Sequence, residues 1–348
     1  MAPTLKDIAS RLGISAQAVS LALHKAPNAG RISPELRERI IATAREMGYQ
    51  PNRLARALVR GQSQSLGLLM IAPASLPWVE ALRGVSEEAA IVGYTVLLSA
   101  AQEAISKEKQ LTAFVESRVD GIVSVAQSAL ELSEAVLARL PQGVPLISIN
   151  LEVQAEDVFS IVMDNRAATR QATRHLMQLG HTSIAYLDVP RSHLNEQPLL
   201  QSSTERREGY LDAMRDAGLT PDVVSLGMAH VEERVRQACD TALDLFRRSA
   251  PPTAFCCAAD WEGLGVLRAC ASLGLRVPED VAVFGFDDRE AGQWVVPALS
   301  TVRPAFDEAG RLAVRYLVGR EEAPAGGVTR LPCELVFRES APALPGAY

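Results

Sequence analysis

Two sets of residues in this chain have side chains and spacings suited to recognition chemistry. Near the N-terminus, Ala16 and Gln17 begin a short helix-forming run, with Leu21 one turn further on. A glutamine amide can bond N6 and N7 of an adenine together, and an alanine methyl can touch the methyl of a thymine. Further along, Ala72, Trp78, Asn150, Arg206, Asp260 and Asp287 each follow an apolar run or fall in the first turn of the amphipathic run after it. Polar forks and carboxylates beside an apolar face are what a hydroxylated small molecule needs. Trp78 can stack on a pyranose face or serve as a core aromatic of its own helix. Arg206, in Arg206-Arg207-Glu208-Gly209-Tyr210, can clamp hydroxyls or a carboxylate, or be a surface arginine at a helix start.

Catalytic chemistry is poorly supported. Asp287-Asp288 is the nearest approach to an acid pair, but adjacent side chains on a loop usually diverge, so one carboxylate holding a ligand hydroxyl is the better reading. No GxGxxG follows a strand, and no P-loop, HExxH or Ser/His/Asp arrangement occurs. His24 closes a short N-terminal helix, and His175, His181, His193 and His230 are isolated from one another. Cys239, Cys256, Cys257, Cys270 and Cys333 have neither CxxC nor Cys/His ligand spacing, so no catalytic residue, metal site, cofactor or disulfide framework is expected. Cys256 and Cys257 sit in an apolar run as small core residues.

The elements that must position these residues begin at Thr4. Its hydroxyl and Asp7 have the spacing of a capping box, and Leu5, Ile8, Ala9 and Leu12 give the helix one apolar face. Gly13 ends that helix, Ile14 plugs the turn, and Ser15 caps a second helix over Ala16–Leu23. In the second helix Val19, Ala22 and Leu23 point inward, leaving Ala16, Gln17, Ser20 and Leu21 outside. Ser33 and Pro34 open a third helix with a stripe of Leu36, Ile40, Ala44 and Met47, stopped by Gly48. Two helices joined by a glycine-containing turn form a helix-turn-helix, whose second helix enters the DNA major groove. Pro51–Arg60 can form one more short helix carrying Arg53, Arg56 and Arg60. It is too short to be stable alone and should order only when held.

Charge supports that division. The 348 residues carry a net charge of −6. Residues 1–62 hold ten Lys/Arg against four acids, +6, and the remainder 25 basic and 37 acidic residues, −12. Positive charge is thus concentrated where phosphates would sit. Neither a signal peptide nor an apolar run of about 18 residues is present, which predicts a soluble cytoplasmic protein.

After the polar linker Gly61–Ser65 the chain alternates short apolar runs with amphipathic helices, the pattern of parallel sheets in an α/β fold. Strands are expected at Leu66–Ile71, Tyr94–Ser99, Gly121–Val125, Leu146–Ile149, Ser183–Asp188, Val223–Gly227, Ala254–Ala258 and Val281–Gly285, with helices between. Two successive Rossmann-like lobes would turn the carboxyl ends of their strands toward a shared crevice.

These pieces together resemble the LacI/GalR family of bacterial transcription regulators. The resemblance rests on Thr4-Leu5-Lys6-Asp7-Ile8-Ala9, Gly13-Ile14-Ser15, Val19-Ser20, Gly48-Tyr49, Pro51-Asn52 and Leu54-Ala55-Arg56-Ala57-Leu58, and it continues through the whole chain. It implies a helix-turn-helix headpiece (1–50), a hinge helix and linker (51–65), a two-lobed periplasmic-binding-protein-like body (66–340) and a short tail (341–348). One lobe would be about 66–163 plus 292–322 and the other 164–291 plus 323–340. It further implies a homodimer on a near-palindromic operator, probed by Ala16, Gln17 and Leu21 at base edges and by Ser20, Lys25, Arg31 and Ser33 at phosphates. Ala55 and Leu58 would enter the minor groove, Leu58 as an apolar wedge that kinks the duplex. An effector, a sugar or sugar derivative, would meet Ala72, Trp78, Asn150, Arg206, Asp260 and Asp287. Repression is the family habit. The rival readings are a sugar-binding protein or a sugar-converting enzyme without a DNA role.

Two departures bear on the pocket. Ala259-Asp260 stands where the family usually has Asn-Asp, and the loop after Asp188 is longer than its usual short turn. Leu21 replaces a frequent arginine, so no strong guanine preference is expected there. The tail lacks leucine heptads, and no added tetramerisation helix is expected.

Overall fold

The computed structural model describes residues 3–23, 32–49, 62–70, 76–100, 104–126, 132–140, 143–155, 157–188, 201–226, 231–323 and 327–344. Two compact units divide at Ser63/Gln64.

The first unit contains α1 (Leu5–Leu12), α2 (Ala16–Leu23) and α3 (Pro34–Glu46). The capping box at Thr4 forms: the Asp7 amide donates to the Thr4 hydroxyl at 3.4 Å, and the Thr4 amide to the Asp7 carboxylate at 2.8 Å. That amide holds the Asp7 carboxyl below its usual range. Gly13, at φ 67°, takes the left-handed conformation that turns the chain from α1 into α2. Ile8, Ala9, Val19, Ala22, Ile40 and Ala44 form the buried centre, with Leu5, Leu12, Leu36 and Met47 around it. Every apolar position expected from the helical spacing therefore packs inward. Ala16 does too in part, being half-buried against this core.

The second unit is built on two parallel sheets. In the first, β1 (Ser65–Met70), β2 (Thr95–Ala100), β3 (Gly121–Val125), β4 (Leu146–Ile149), β5 (Val158–Met163) and β11 (Val328–Leu331) lie in the order β11-β5-β4-β3-β1-β2. The second runs β7 (Asp222–Ser225), β6 (Ile184–Asp188), β8 (Ala254–Cys257), β9 (Ala282–Phe284). An antiparallel pair, β10 (Thr301–Arg303) with β12 (Glu334–Val336), forms its own ladder and adjoins the β9 end of the second sheet through backbone bonds of Gly285 and Asp287. The central strands of each sheet are buried on both faces, as helices on both sides require.

Helices α4 (Leu76–Val92) and α12 (Phe306–Leu317) cover one face of the first sheet and α5 (Ala104–Glu116) the other, while α6 (Glu134–Leu137) precedes β4. On the second sheet α7 (Asn165–Gln178) and α8 (Gln201–Asp216) lie on one face. On its other face lie α9 (Val231–Phe246) and α10 (Asp260–Leu273), and α11 (Glu290–Trp294) follows β9. None of the described helices is long and apolar enough to cross a membrane.

Close helix crossings depend on glycine. A Cβ on Gly310 of α12 would lie 2.4 Å from the Ala81 carbonyl oxygen of α4, and one on Gly84 would lie 2.0 Å from that of Asp307. Both obstacles are backbone, so neither can rotate away. Gly310→Ala should cost about 3 kcal/mol, the upper end of ordinary overpacking, read as a lower urea midpoint of the full chain with the headpiece fold unchanged.

Three features differ from the sequence-based expectation. No strand is expected at Val158–Met163, yet β5 lies inside the first sheet between β4 and β11. Leu299 belongs to the second sheet's core and Ser300 bridges Phe284, so the chain returns to the first half after Arg303 rather than at 292. Val328–Leu331 pairs with β5, so the last crossing follows Leu331 rather than residue 322. Sequence patterning locates apolar runs, but not the sheet each run joins.

Candidate functional site

On the headpiece, Ser15 caps α2 by accepting from the Ala18 amide at 3.1 Å. This leaves Gln17 exposed in the first turn, with Ser20 and Leu21 half-buried further along. Ser33 accepts from the Leu36 amide at 3.3 Å and so caps α3, an end whose free amides suit a phosphate. Lys25, Arg31, Ala55, Leu58 and Ala72 lie outside the described residues.

In the body, the second sheet's order reverses direction between β6 and β8, and the carboxyl ends flanking such a reversal form a ligand crevice. Arg206, in the second turn of α8, reaches that point. Its Nη1 donates to the Ala258 carbonyl oxygen at 2.7 Å and lies 3.3 Å from Asp287 Oδ1. Its Nε donates to Asn165 Oδ1 at 3.1 Å, and its guanidinium lies 3.7 Å from the centre of the Phe286 ring. Asp287 pairs on its other oxygen with Arg289 Nη2 at 3.2 Å. A carboxylate whose side chain is only 9% exposed has its charge compensated by lying between two guanidiniums.

The loop carrying Asp287 is strained. Asp287 has φ 105° and Asp288 φ 49°, both in the region that favours glycine, and such outliers persist only where surrounding contacts impose them. The Asp287 amide donates to the Val302 carbonyl oxygen at 2.8 Å. Asp288 turns the opposite way, accepting from Arg303 Nε at 2.6 Å and Arg338 Nη2 at 2.5 Å. The two carboxylates part, which removes any shared-proton acid pair.

Asp260 has a different place from the one expected of it. It is fully buried, and both its oxygens are occupied: Thr301 Oγ1 donates to Oδ1 at 2.5 Å and the Arg289 amide to Oδ2 at 2.6 Å. Burial, reinforced by the neighbouring Asp287, pushes its carboxyl up to about 8. Gly285 makes room for it, since a Cβ there would lie 2.2 Å from Asp260 Oδ1. Asp260 thus holds the Asp287 loop to the α10 N-terminus and β10, and its carboxyl is closed to a ligand.

Trp78 and Asn150 belong to the first half. Trp78 meets Phe306 edge to face at 5.6 Å and packs on the first sheet's core, the structural alternative read from its sequence. Asn150, at φ 76°, donates to the Ala126 carbonyl oxygen at 3.1 Å across the carboxyl ends of β3 and β4. Of the six expected ligand residues, the described contacts therefore gather Arg206, Asp260 and Asp287. Three hydrogen-bonding or ion-pairing side chains lie outside that expectation, Asn165, Arg289 and Thr301. Asn165 is the most accessible of these to sequence reasoning, because Asp164-Asn165 is the polar pair that ends the apolar run Val158–Met163.

A helix-turn-helix headpiece in one chain with a two-sheet body, and a polar cluster at that body's strand ends, define a ligand-responsive DNA-binding regulator. Residues 4–52 match the model of bacterial regulatory proteins, lacI family, and residues 173–341 that of the periplasmic binding protein-like domain. The chain thus carries a lacI-family DNA-binding domain followed by a periplasmic binding protein-like domain. It is 29% identical over 350 residues to the HTH-type transcriptional repressor CytR of Escherichia coli (strain K12), covering 99% of this chain and 98% of that one. It is 28% identical over 342 residues to the ribose operon repressor of Halalkalibacterium halodurans, covering 97% and 96%. The structure of the lac repressor dimer bound to operator and the anti-inducer ONPF matches with a TM-score of 0.80 at 26% identity, over 99% of this chain and 100% of that one. The transcriptional regulator CelR–cellobiose complex matches at 0.63 and 26% identity, over 97% and 99%. These relatives are regulators, not enzymes.

Proposed function

We propose that this protein is a dimeric transcriptional repressor whose operator affinity is set by a small polar effector, a carbohydrate or close derivative, bound between the two halves of the body. One conjunction carries this reading: an exposed recognition turn at Gln17, and, in the same chain, a charge-compensated Arg206–Asp287 pair at the second sheet's reversal point. The operator- and anti-inducer-bound lac repressor dimer and the cellobiose complex of CelR support the DNA, dimer and carbohydrate parts of it. Dimerisation has physical support in Trp294 and Val296, 77% and 93% exposed. Two apolar side chains this exposed, two residues apart in sequence, are where such an interaction face is sought.

In this reading Gln17 and Leu21, with Ala16 beside them, face base edges, while Ser20, Lys25, Arg31 and Ser33 meet phosphates. Ala55 and Leu58 meet the minor groove. Duplexes selected from a random pool by the full chain should be near-palindromic and lack a strong guanine preference opposite Leu21. Gln17→Ala should weaken binding to the selected duplex by about 1–3 kcal/mol while non-specific binding stays constant. Equal loss on all sequences in a titration would assign Gln17 to the phosphates instead.

The effector class is tested by thermal shift of the full chain against sugars, sugar phosphates, sugar acids, nucleobases and amino acids. A ligand at 100 times its dissociation constant adds about 2.7 kcal/mol of stability. Silence across every class would remove the effector from this account.

A further inference from the structure

Arg206 does not hold its position unaided. Its Nε donates to Asn165 Oδ1, and the same amide's Nδ2 donates to Glu205 Oε2 at 3.2 Å and to the Met163 carbonyl oxygen at 3.1 Å. Only one orientation of that amide serves both neighbours, because its oxygen must face a guanidinium and its nitrogen a carboxylate. The Glu205 carboxylate and the Met163 carbonyl oxygen together fix which atom Asn165 offers to Arg206.

Glu205 is held in turn from the other half of the body. Its Oε1 accepts from Gln201 Nε2 at 3.1 Å and lies 3.5 Å from Arg330 Nη1. Arg330 belongs to β11 of the first sheet, and its Nη2 pairs with Glu152 Oε2 at 2.6 Å in the connection between β4 and β5. A second crossing lies alongside: the Glu152 amide donates to Gln201 Oε1 at 3.0 Å. Glu152 and Arg330 come from the first sheet's half, and Gln201, Glu205, Asn165 and Arg206 from the helices on the second sheet.

We propose that the Glu152–Arg330–Glu205 bridge is a latch between the two halves, and that Arg330 and Glu205 are positioning residues which orient Arg206 through Asn165 only while the latch is closed. Separating the halves frees Glu205 from Arg330, leaves the Asn165 amide held by the Met163 carbonyl oxygen alone, and so loosens its grip on the arginine at the strand ends. Arg206 and the meeting of the halves are thereby made mutually dependent, as coupling between a pocket and a domain movement requires. That Arg206 serves an effector rests on the function proposed above. The latch does not, and its test needs no ligand.

The test is amide hydrogen exchange on the full chain, free of ligand and DNA, comparing native protein, Arg330→Ala, Arg330→Glu and the double variant Glu152→Arg/Arg330→Glu. The Glu152 amide reports the latch, and the Asp164 amide, bonded to the Leu331 carbonyl oxygen at 2.8 Å, reports whether β11 keeps its seat beside β5. Losing a charge-assisted hydrogen bond should speed exchange at position 152 about tenfold in all three variants, with Asp164 unchanged. The double variant is decisive: it keeps an opposite pair inside the first half but turns a carboxylate on β11 against Glu205. Continued fast exchange there supports a latch, and return to the native rate means the cluster is local surface pairing and overturns it. Faster exchange at Asp164 means β11 has detached and likewise overturns it. In arginine-labelled protein the Arg206 Nε–H resonance, identified by its loss in Arg206→Lys, should exchange faster in Arg330→Glu, and an unchanged resonance would remove the link through Asn165.

Discussion

In the Asp260→Asn variant, the stability lost by the native chain between pH 6 and pH 8 should be largely recovered. Asp260 is fully buried, and burial, then repulsion from Asp287, raises its carboxyl to about 8 from an ordinary value of 3.8, against the opposing hydrogen bonds of Thr301 and the Arg289 amide. Between those two pH values the folded chain keeps a proton that the unfolded chain has released. Stability therefore falls as pH rises, by about 1.4 kcal/mol per unit, and levels off once the folded carboxyl has ionised. From pH 6 to pH 8 the loss from this group is about 2 kcal/mol. Asparagine stands in for the protonated acid: its oxygen can accept from the Arg289 amide, and its nitrogen, like the acid's O–H, can donate to Thr301 Oγ1 once that hydroxyl turns from Asp260 toward the Val302 carbonyl oxygen. Urea unfolding at the two pH values measures the difference. His175 and His181, whose pKa values burial lowers, act with the opposite sign, binding less proton when folded. Both are present in native and variant chains, so they cancel in the comparison. Parallel pH profiles for the two proteins would mean that Asp260 is ionised in the folded state.

The same carboxyl shows why part of the site is legible in the sequence and part is not. The helix-turn-helix is readable because its determinants are local: Thr4 and Asp7 lie three residues apart, and Gly13 supplies the left-handed turn. Strands such as Gly121–Val125 and Leu146–Ile149 are readable because an apolar run between turn residues is also local. Asp260 reads correctly as the start of a helix after an apolar strand. Its role depends on Thr301, 41 residues away, and on a main-chain amide that no side-chain pattern reveals. Arg289 escapes notice for a similar reason. On a loop it reads as a surface cation, and only the turn through Asp287 and Asp288 brings it to the other side of the Asp287 carboxylate. Glu205 and Arg330, 125 residues apart, lie on elements of different sheets. The unexpected strand Val158–Met163 compounds these losses, since Asn165 acquires meaning only once β5 is seen to end at Met163.

Arg206→Lys should fold yet lose most of its response to the effector. The guanidinium spans Asn165 Oδ1, the Ala258 carbonyl oxygen and Asp287 Oδ1 while its flat face lies on Phe286. An ammonium is a point charge that can neutralise Asp287 but cannot direct a fork to three acceptors or stack on the ring. Keeping the charge limits the damage to unmet hydrogen bonds, about 1–3 kcal/mol of stability, so the variant's own melting temperature is the baseline. Ligand binding should suffer more, because a hydroxylated molecule would meet an arginine face already oriented by Asn165. If affinity falls a hundredfold, a ligand concentration that adds about 2.7 kcal/mol to the native protein adds only about 0.4 kcal/mol to the variant. By reciprocity, the factor by which that ligand shifts affinity for the selected duplex should contract as the coupling through Arg206 is lost, while duplex binding without ligand stays near the native value. An equal thermal shift in native and variant proteins would move the effector away from Arg206. A weakened thermal shift with the native duplex response regained at saturating ligand would separate the pocket that binds from the contacts that signal.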